Sequence, residues 1–288
     1  MLGYKHGFSA TDLPMNRPFR AGAFAVLALA TGAAQAQSSA TEPLWEVGAV
    51  AFGVSQQAYP GSDHQVRRGI VLPWLLYRGR FLRADGETIG VRPVKTPTFE
   101  VDIGVAGAFG SNASDIEARR GMPNLGTLVE FGPRVKWNLG GSRETGLWRL
   151  DLPLRGVFDL SDSLAHRGFV FQPTLSWRRA SGGWSYSVSG SALVGDERLA
   201  STFYEVAPRF ATASRPAYDA QAGLIGWRLG TFATRDLTRD WRVFGFARID
   251  SVAGAANRGS PLVRQTTGAS VGIGVSYTFM RSQQPAVD

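Results

Sequence analysis

The sequence predicts an all-β chain closed into an antiparallel transmembrane β-barrel. Three observations predict it: a residue period of two that recurs along the chain, small or charged residues opposite the apolar face, and connections that alternate long and short. The clearest stretch is "GASVGIGVSYTFM", residues 268–280. Val271, Ile273, Val275, Tyr277 and Phe279 share one face, and Gly272, Gly274, Ser276 and Thr278 the other. That period defines a strand. A soluble sheet usually turns Lys, Glu or Gln to water, whereas this strand shows only small residues opposite its large ones. A barrel wall accounts for both faces: the large residues meet lipid and the small ones a crowded lumen. A soluble β-sandwich also alternates, but its strands are usually shorter, about 5–6 residues.

The other strands follow the same rule. Phe99, Val101, Ile103, Val105 and Phe109 alternate with Glu100, Asp102, Gly104, Ala106 and Ala108. Val129, Phe131, Val135, Trp137 and Leu139 alternate with Glu130, Gly132, Arg134, Lys136 and Asn138. Trp148, Leu150, Leu152 and Leu154 face away from Arg149, Asp151 and Arg155, with Asp159 further along the polar side. Phe169, Phe171, Leu175 and Trp177 form the next stripe, and Trp184, Tyr186 and Val188 the one after it, opposite four serines between 185 and 191. Less regular strands are expected near 44–55, 69–77, 218–234 (with Ile225, Trp227 and Leu229 on one face) and 240–252. Trp and Tyr near strand ends suit the two interfacial girdles. No comparable helical pattern appears after the first 36 residues.

Connection lengths give an independent reading. With both termini on the periplasmic side, the long connections 56–68, 112–126, 195–217 and 253–267 are outer loops, and the "GGSRET", "SGG" and "RDLTRD" turns are inner ones. This gives twelve strands. Two short ones, 80–84 and 87–93, are joined by Asp85-Gly86, a hairpin turn; if they lie outside the wall the count is ten.

The chain has 288 residues and 44% hydrophobic content, enough to bury a core, and it has no Cys, which excludes disulfides, thiolate metal sites and a Cys nucleophile. "RPFRAGAFAVLALATGAAQAQ" has a basic start, an apolar run too short to span as a helix, and an Ala34-Gln35-Ala36 cleavage signature. Residues 1–36 are read as a secretory signal peptide, with Met15 giving a start of more ordinary length. Residues 37–288 are read as one barrel domain in the cell outer membrane of a Gram-negative bacterium. The leader contributes a net +2 (Lys5, Arg17 and Arg20 against Asp12), leaving +6 of the +8 total. Such an excess fits a solvated surface with a moderate basic bias, or anionic partners such as phosphate-rich lipid, nucleic acid or acidic glycans; outer-membrane lipid and lipopolysaccharide are the expected partners. Nucleic acid is not expected, because the charges are spread rather than gathered into a patch.

Little here points to catalysis. His64 in "GSDHQ" and His166 in "DSLAHRG" fall on outer loops, and consecutive Ser62, Asp63 and His64 do not make triad geometry. Two isolated His without Cys make a poor zinc site. "PGSD" is turn chemistry first, with a calcium role for Asp63 the minor alternative. The expectation is no enzyme, no cofactor, no metal and no assignable catalytic or ligand-binding residue. The inward charges Glu100, Asp102, Glu130, Arg134, Lys136, Arg149, Asp151, Arg155 and Asp159 cluster on consecutive strands. Their mixed signs favour a salt-bridge lattice over a selective pore lining.

The phrases "AYPGSD" (58–63), "RRGMPNLG" (119–126), "VEFGPRV" (129–135), "RPAYDAQAGL" (215–224), "SPLV" (260–263) and "GIGVSYTF" occur in this order. Together they resemble the MipA/OmpV family of outer-membrane proteins, over about 44–279. The tail "MRSQQPAVD" departs from the pattern, since these barrels often end at the last strand's aromatic. The resemblance implies a non-catalytic scaffold joining a murein-degrading lytic transglycosylase to a murein synthase, and it supplies no site residues. Alternatives are a small channel for polar or anionic solutes and an adhesin acting through outer loops.

Overall fold

In the computed structural model, residues 42–79, 82–84, 89–91, 94–96, 98–142 and 145–286 are described. The expected leader 1–36 with Met15, residues 37–41 and the turn expected at Asp85-Gly86 lie outside them. The strands are β1 (Trp45–Gln57), β2 (Gln65–Arg78), β3 (Leu82–Ala84), β4 (Ile89–Val91), β5 (Val94–Lys95), β6 (Phe99–Ala108) and β7 (Leu128–Ser142). Then come β8 (Gly146–Asp159), β9 (Ala165–Phe171), β10 (Thr174–Ser181), β11 (Trp184–Gly195), β12 (Gly223–Asp236), β13 (Trp241–Ser251) and β14 (Thr267–Arg281). Every pairing between these strands is antiparallel.

The ladder runs β4-β3-β2-β1-β14-β13-β12-β11-β10-β8-β7-β6-β5, with β9 between β8 and β11. Its two ends, β4 and β5, are consecutive in the chain, and β4 lies against β6, so the sheet meets itself. Counting β4 with β5, and β9 with β10, as one wall strand each gives twelve. Among the described residues the ladder at this seam covers Tyr77 and Arg78 of β2 and Glu100 and Val101 of β6; hydrocarbon favours such closure because it removes unpaired edges. Pro173 separates β9 from β10; with no N–H to donate, it interrupts the ladder at that point. The β10–β11 hairpin turns on Gly182 and Gly183, both at positive φ (60° and 77°), the conformation a two-residue turn of matching twist requires.

The outward face is apolar. Leu154, Phe169, Leu175, Trp227, Leu229, Ile249, Val271, Ile273 and Phe279 are all exposed on it. Six of the eight tryptophans, Trp45, Trp137, Trp148, Trp177, Trp184 and Trp241, lie on the outward face toward the end where the short turns are. With Tyr77, Tyr186 and Tyr277 they form an aromatic girdle at that end.

The glycines of β14 make room for aromatics rather than for open lumen. A Cβ on Gly272 would collide with the Phe246 ring, and one on Gly274 with the Phe244 ring and 2.6 Å from Phe52 Cβ. Phe52, Phe232, Phe244 and Phe246 point inward, so one arc of the lumen is apolar. Gly274→Val is therefore expected to destabilise the barrel by about 1–3 kcal/mol through overpacking. A lower temperature midpoint in a heat-modifiability gel would show it, and an unchanged midpoint would contradict the ring packing.

Four sequence expectations need correction. The loop expected at 195–217 contains a helix, α1 (Glu197–Tyr204), capped by Asp196, whose carboxylate accepts from Leu199 N at 2.9 Å. The following strand begins at Gly223 rather than 218. Phe109 lies past the end of β6 and turns in toward Phe52, with ring centres 6.3 Å apart, instead of facing lipid. Ile225 is 2% exposed and packs against the α1 region rather than joining the Trp227–Leu229 stripe. In both cases tertiary packing at the rim overrides simple alternation.

Candidate functional site

Three regions could carry function: the outer mouth, the lumen and the inner rim. At the outer mouth the long connections fold over the barrel and share a hydrophobic core. Tyr59, Ile116, Leu125, Leu199, Tyr204, Val206, Ala220 and Leu262 are buried there, with Val157, Val170 and Ile225 from the strand ends below. Hydrogen bonds cross between loops. Tyr59 Oη donates to Leu262 O (2.8 Å), Tyr204 Oη to Pro60 O (3.1 Å), and Ser260 Oγ to Tyr204 O (2.7 Å). The Asn257 amide pairs with the Gln221 backbone at both ends, at 2.7 and 2.8 Å. Arg215 Nη1 donates to Ala118 O and Arg120 O, each at 3.0 Å, stapling one loop to another.

Four of the phrases that carried the resemblance, 58–63, 119–126, 215–224 and 260–263, meet in this cap. Within 58–63, Ser62 is fully buried, its hydroxyl accepts from His64 N (3.1 Å), and its carbonyl accepts from Gln57 and Gln265 side chains (2.7 and 2.8 Å). Asp63 is 3.9 Å from Arg264. The stretch thus folds as a turn that is tied down. His166 lies between the Phe158 and Phe169 rings. Among the described residues, no group of three or more His, Asp or Glu side chains is gathered as a metal site.

Arg119 is buried in the cap, donates to Phe203 O (3.2 Å) and Pro123 O (3.4 Å), and lies 5.8 Å from the Tyr59 ring centre. Burial lowers its pKa from the usual arginine value. Burial likewise pushes the Tyr59 phenol up to about 12, against an opposing pull from the Arg119 charge, and raises Tyr204 as well. A tyrosine held neutral in the fold contributes stability below its unfolded pKa of 10.0 and loses it as pH rises through the folded value. The cap is expected to loosen between about pH 10 and 12, read as protease cleavage within 205–222 while the wall stays heat-modifiable. Unchanged protease resistance across that window would contradict the burial of Tyr59.

The inward charges form the expected lattice. Asp102 lies opposite Arg134, and Glu100 opposite Lys136, across β6 and β7. Arg134 grips Asp102 with two nitrogens, at 2.9 and 2.7 Å. Lys136 bridges Asp102 (2.7 Å) and Glu100 (3.1 Å). Arg155 pairs with Glu130 at 3.0 Å, Arg149 with Asp151 at 3.0 Å, and Asp159 with Arg167 at 2.9 Å. A second group, Arg228 and Arg248 on Asp250 (2.7 and 2.8 Å), was absent from the sequence-derived set, although alternation along β12 and β13 puts it on the same inner face. Arg149→Ala with Arg155→Ala is expected to lower barrel stability by roughly 2–5 kcal/mol without creating or removing a conductance. A large conductance change at unchanged stability would refute the lattice.

At the inner rim the two ends of the described chain are joined. Leu44 N donates to Gln284 O (2.8 Å), Ala286 N to Glu42 O (2.6 Å), and Ser282 N to Trp45 O (2.9 Å), while Pro43 and Pro285 form a β-bridge. The residues after Phe279 thus continue β14 to Arg281 and then pair with 42–45. Arg78 clamps this ladder through Glu42 (3.2 Å), Glu46 (2.7 Å) and Pro43 O (3.0 Å).

An antiparallel wall with an apolar outer band, an aromatic girdle at one end and an ion-paired lumen defines an outer-membrane β-barrel. The chain belongs to the family described as MltA-interacting protein MipA, whose profile it matches over residues 47–279. Its similarity to solved structures is looser. An outer-membrane channel from Pseudomonas putida F1 aligns at 12% identity and TM-score 0.35, covering 85% of this chain and 100% of that one. A FadL homologue from Pseudomonas aeruginosa aligns at 10% identity and TM-score 0.27, covering 82% and 90%. No curated protein matches the chain.

Proposed function

We propose that this barrel is a non-catalytic adaptor, exported behind the leader 1–36, that holds a lytic transglycosylase and a murein synthase at the periplasmic face of the outer membrane. The observation that carries this is the ladder between 42–45 and 282–286, clamped by Arg78. Short inner turns alone offer little area, whereas a stable interface needs about 800 Å² per partner. The ladder adds ordered backbone at that rim. The β7–β8 hairpin adds more, running on past the Trp137 and Trp148 girdle positions to Ser142 and Gly146. The family's description as MltA-interacting supports a murein enzyme as the partner class.

The test is binding of the refolded mature protein to immobilised MltA. Deleting residues 282–288, or replacing Arg78 with Gln, should weaken binding while leaving a heat-modifiable barrel. Undiminished binding by both variants would remove the rim ladder from the proposal. A channel reading draws on one observation: Ser176, Ser185, Ser187, Ser189 and Ser191 line the inner face of β10 and β11 with small side chains. Stable ion-selective steps in a planar bilayer would favour that reading, and a silent, folded barrel the adaptor.

A further inference from the structure

The outer wall is not evenly convex. Across β10 to β13 it holds an apolar groove of about 740 Å³. Leu175 and Trp177 form one bank with Trp148 of β8 beside them, and Trp227, Leu229 and Ile249 form the other. The floor is Gly190 and Ala192 of β11, and a Cβ added at Gly190 would meet nothing within 4 Å. The groove exists because β11 places its smallest outward residues between strands that carry large ones.

Toward the inner end of the same strands lie two exposed arginines, one on each side of β11. Arg179 is paired in register with Tyr186, and Arg235 with Trp184. The Arg235 guanidinium lies 5.6 Å from the Trp184 ring centre. Among the described residues neither arginine takes part in an ion pair, whereas the inward arginines of the neighbouring strands do. They stand at the level of the Trp and Tyr girdle, where lipid phosphates lie.

We propose that this surface is a seat for a single inner-leaflet phospholipid, with an acyl chain against Gly190 and Ala192 and the phosphate between Arg179 and Arg235. The proposal rests on the membrane placement argued above. Guanidinium groups bind phosphate oxygens through charge-assisted, often paired hydrogen bonds. The groove supplies an apolar channel of fixed width for the chain, walled by projecting tryptophans. A second copy of this protein is the poorer occupant. A two-fold contact over the groove would bring the four arginines of two protomers together, with no carboxylate between them.

The test is native mass spectrometry of the mature protein, reconstituted in vesicles of equal phosphatidylglycerol and phosphatidylethanolamine and released in mild detergent. One tightly retained phospholipid is expected. Gly190→Leu, which fills the floor, and the double variant Arg179→Gln with Arg235→Gln should each cut retention by about tenfold. Gly53→Leu should not, because Gly53 has the same open surroundings on the outward face of β1, away from the groove. Equal retention by all four proteins, or a dimer mass in place of the lipid adduct, would overturn the proposal. A protein that forms no heat-modifiable band in the vesicles would instead strike the membrane placement, and the proposal with it.

Discussion

Tyr204→Ala opens the outer cap. The side chain is 1% exposed at the centre of the loop core, and its hydroxyl donates to Pro60 O across the mouth. Removing a buried aromatic ring costs about 3–5 kcal/mol. The strands enter this core only at their outer ends, through residues such as Val157, Val170 and Ile225, so most of the loss falls on the loops. The variant should keep a heat-modifiable wall while an external protease cuts within 205–222. Tyr204→Phe keeps the ring and loses only the hydrogen bond, about 0.5–1.5 kcal/mol, and should resist the protease nearly as well as the parent. Protease resistance in the alanine variant would mean that the loops are held by something other than this core.

Asp102→Ala should be the most damaging single change in the wall. The Asp102 carboxylate has no solvent-exposed side-chain surface and accepts from Arg134 and Lys136 together. Without it the two cations face each other in the lumen, while Glu100 stays 3.1 Å from Lys136. Breaking a buried pair by removing one partner costs about 3–5 kcal/mol. The temperature at which the folded gel band is lost should drop further than in Arg149→Ala or Arg155→Ala made singly. An equal or smaller drop would mean that the lattice is not centred on Asp102.

The wall was legible because lipid on one side and a crowded lumen on the other impose a strict period of two. Where that contrast holds, as along β14 and from Glu100 to Lys136, both faces could be assigned residue by residue. It fails where both faces of a strand are apolar. Phe244 and Phe246 on β13 point inward only because β14 offers glycines opposite them, and no local pattern in β13 reveals its neighbour's side chains. The cap was illegible for a related reason. Leu199, Ala200 and Tyr204 of α1 are buried by loops that begin far away in sequence, at Tyr59, Ile116 and Leu262. The Asp196 cap and the eight-residue length of α1 are weak signals inside a long loop. The break at Pro173 was readable in principle, since proline cannot donate to a central ladder.

The pairing of β1 with β14 places Glu46 beside Arg281, joining the first and last strands of the described chain. This is the most distant pairing in the wall, so it cannot form until nearly the whole polypeptide has arrived. Until then each partial wall exposes a row of unpaired N–H and C=O groups that hydrocarbon does not tolerate. Contacts of such separation also form slowly, since the chain between them must be ordered first. The chain must therefore stay outside the bilayer core, unfinished, until its final strand can complete the seam.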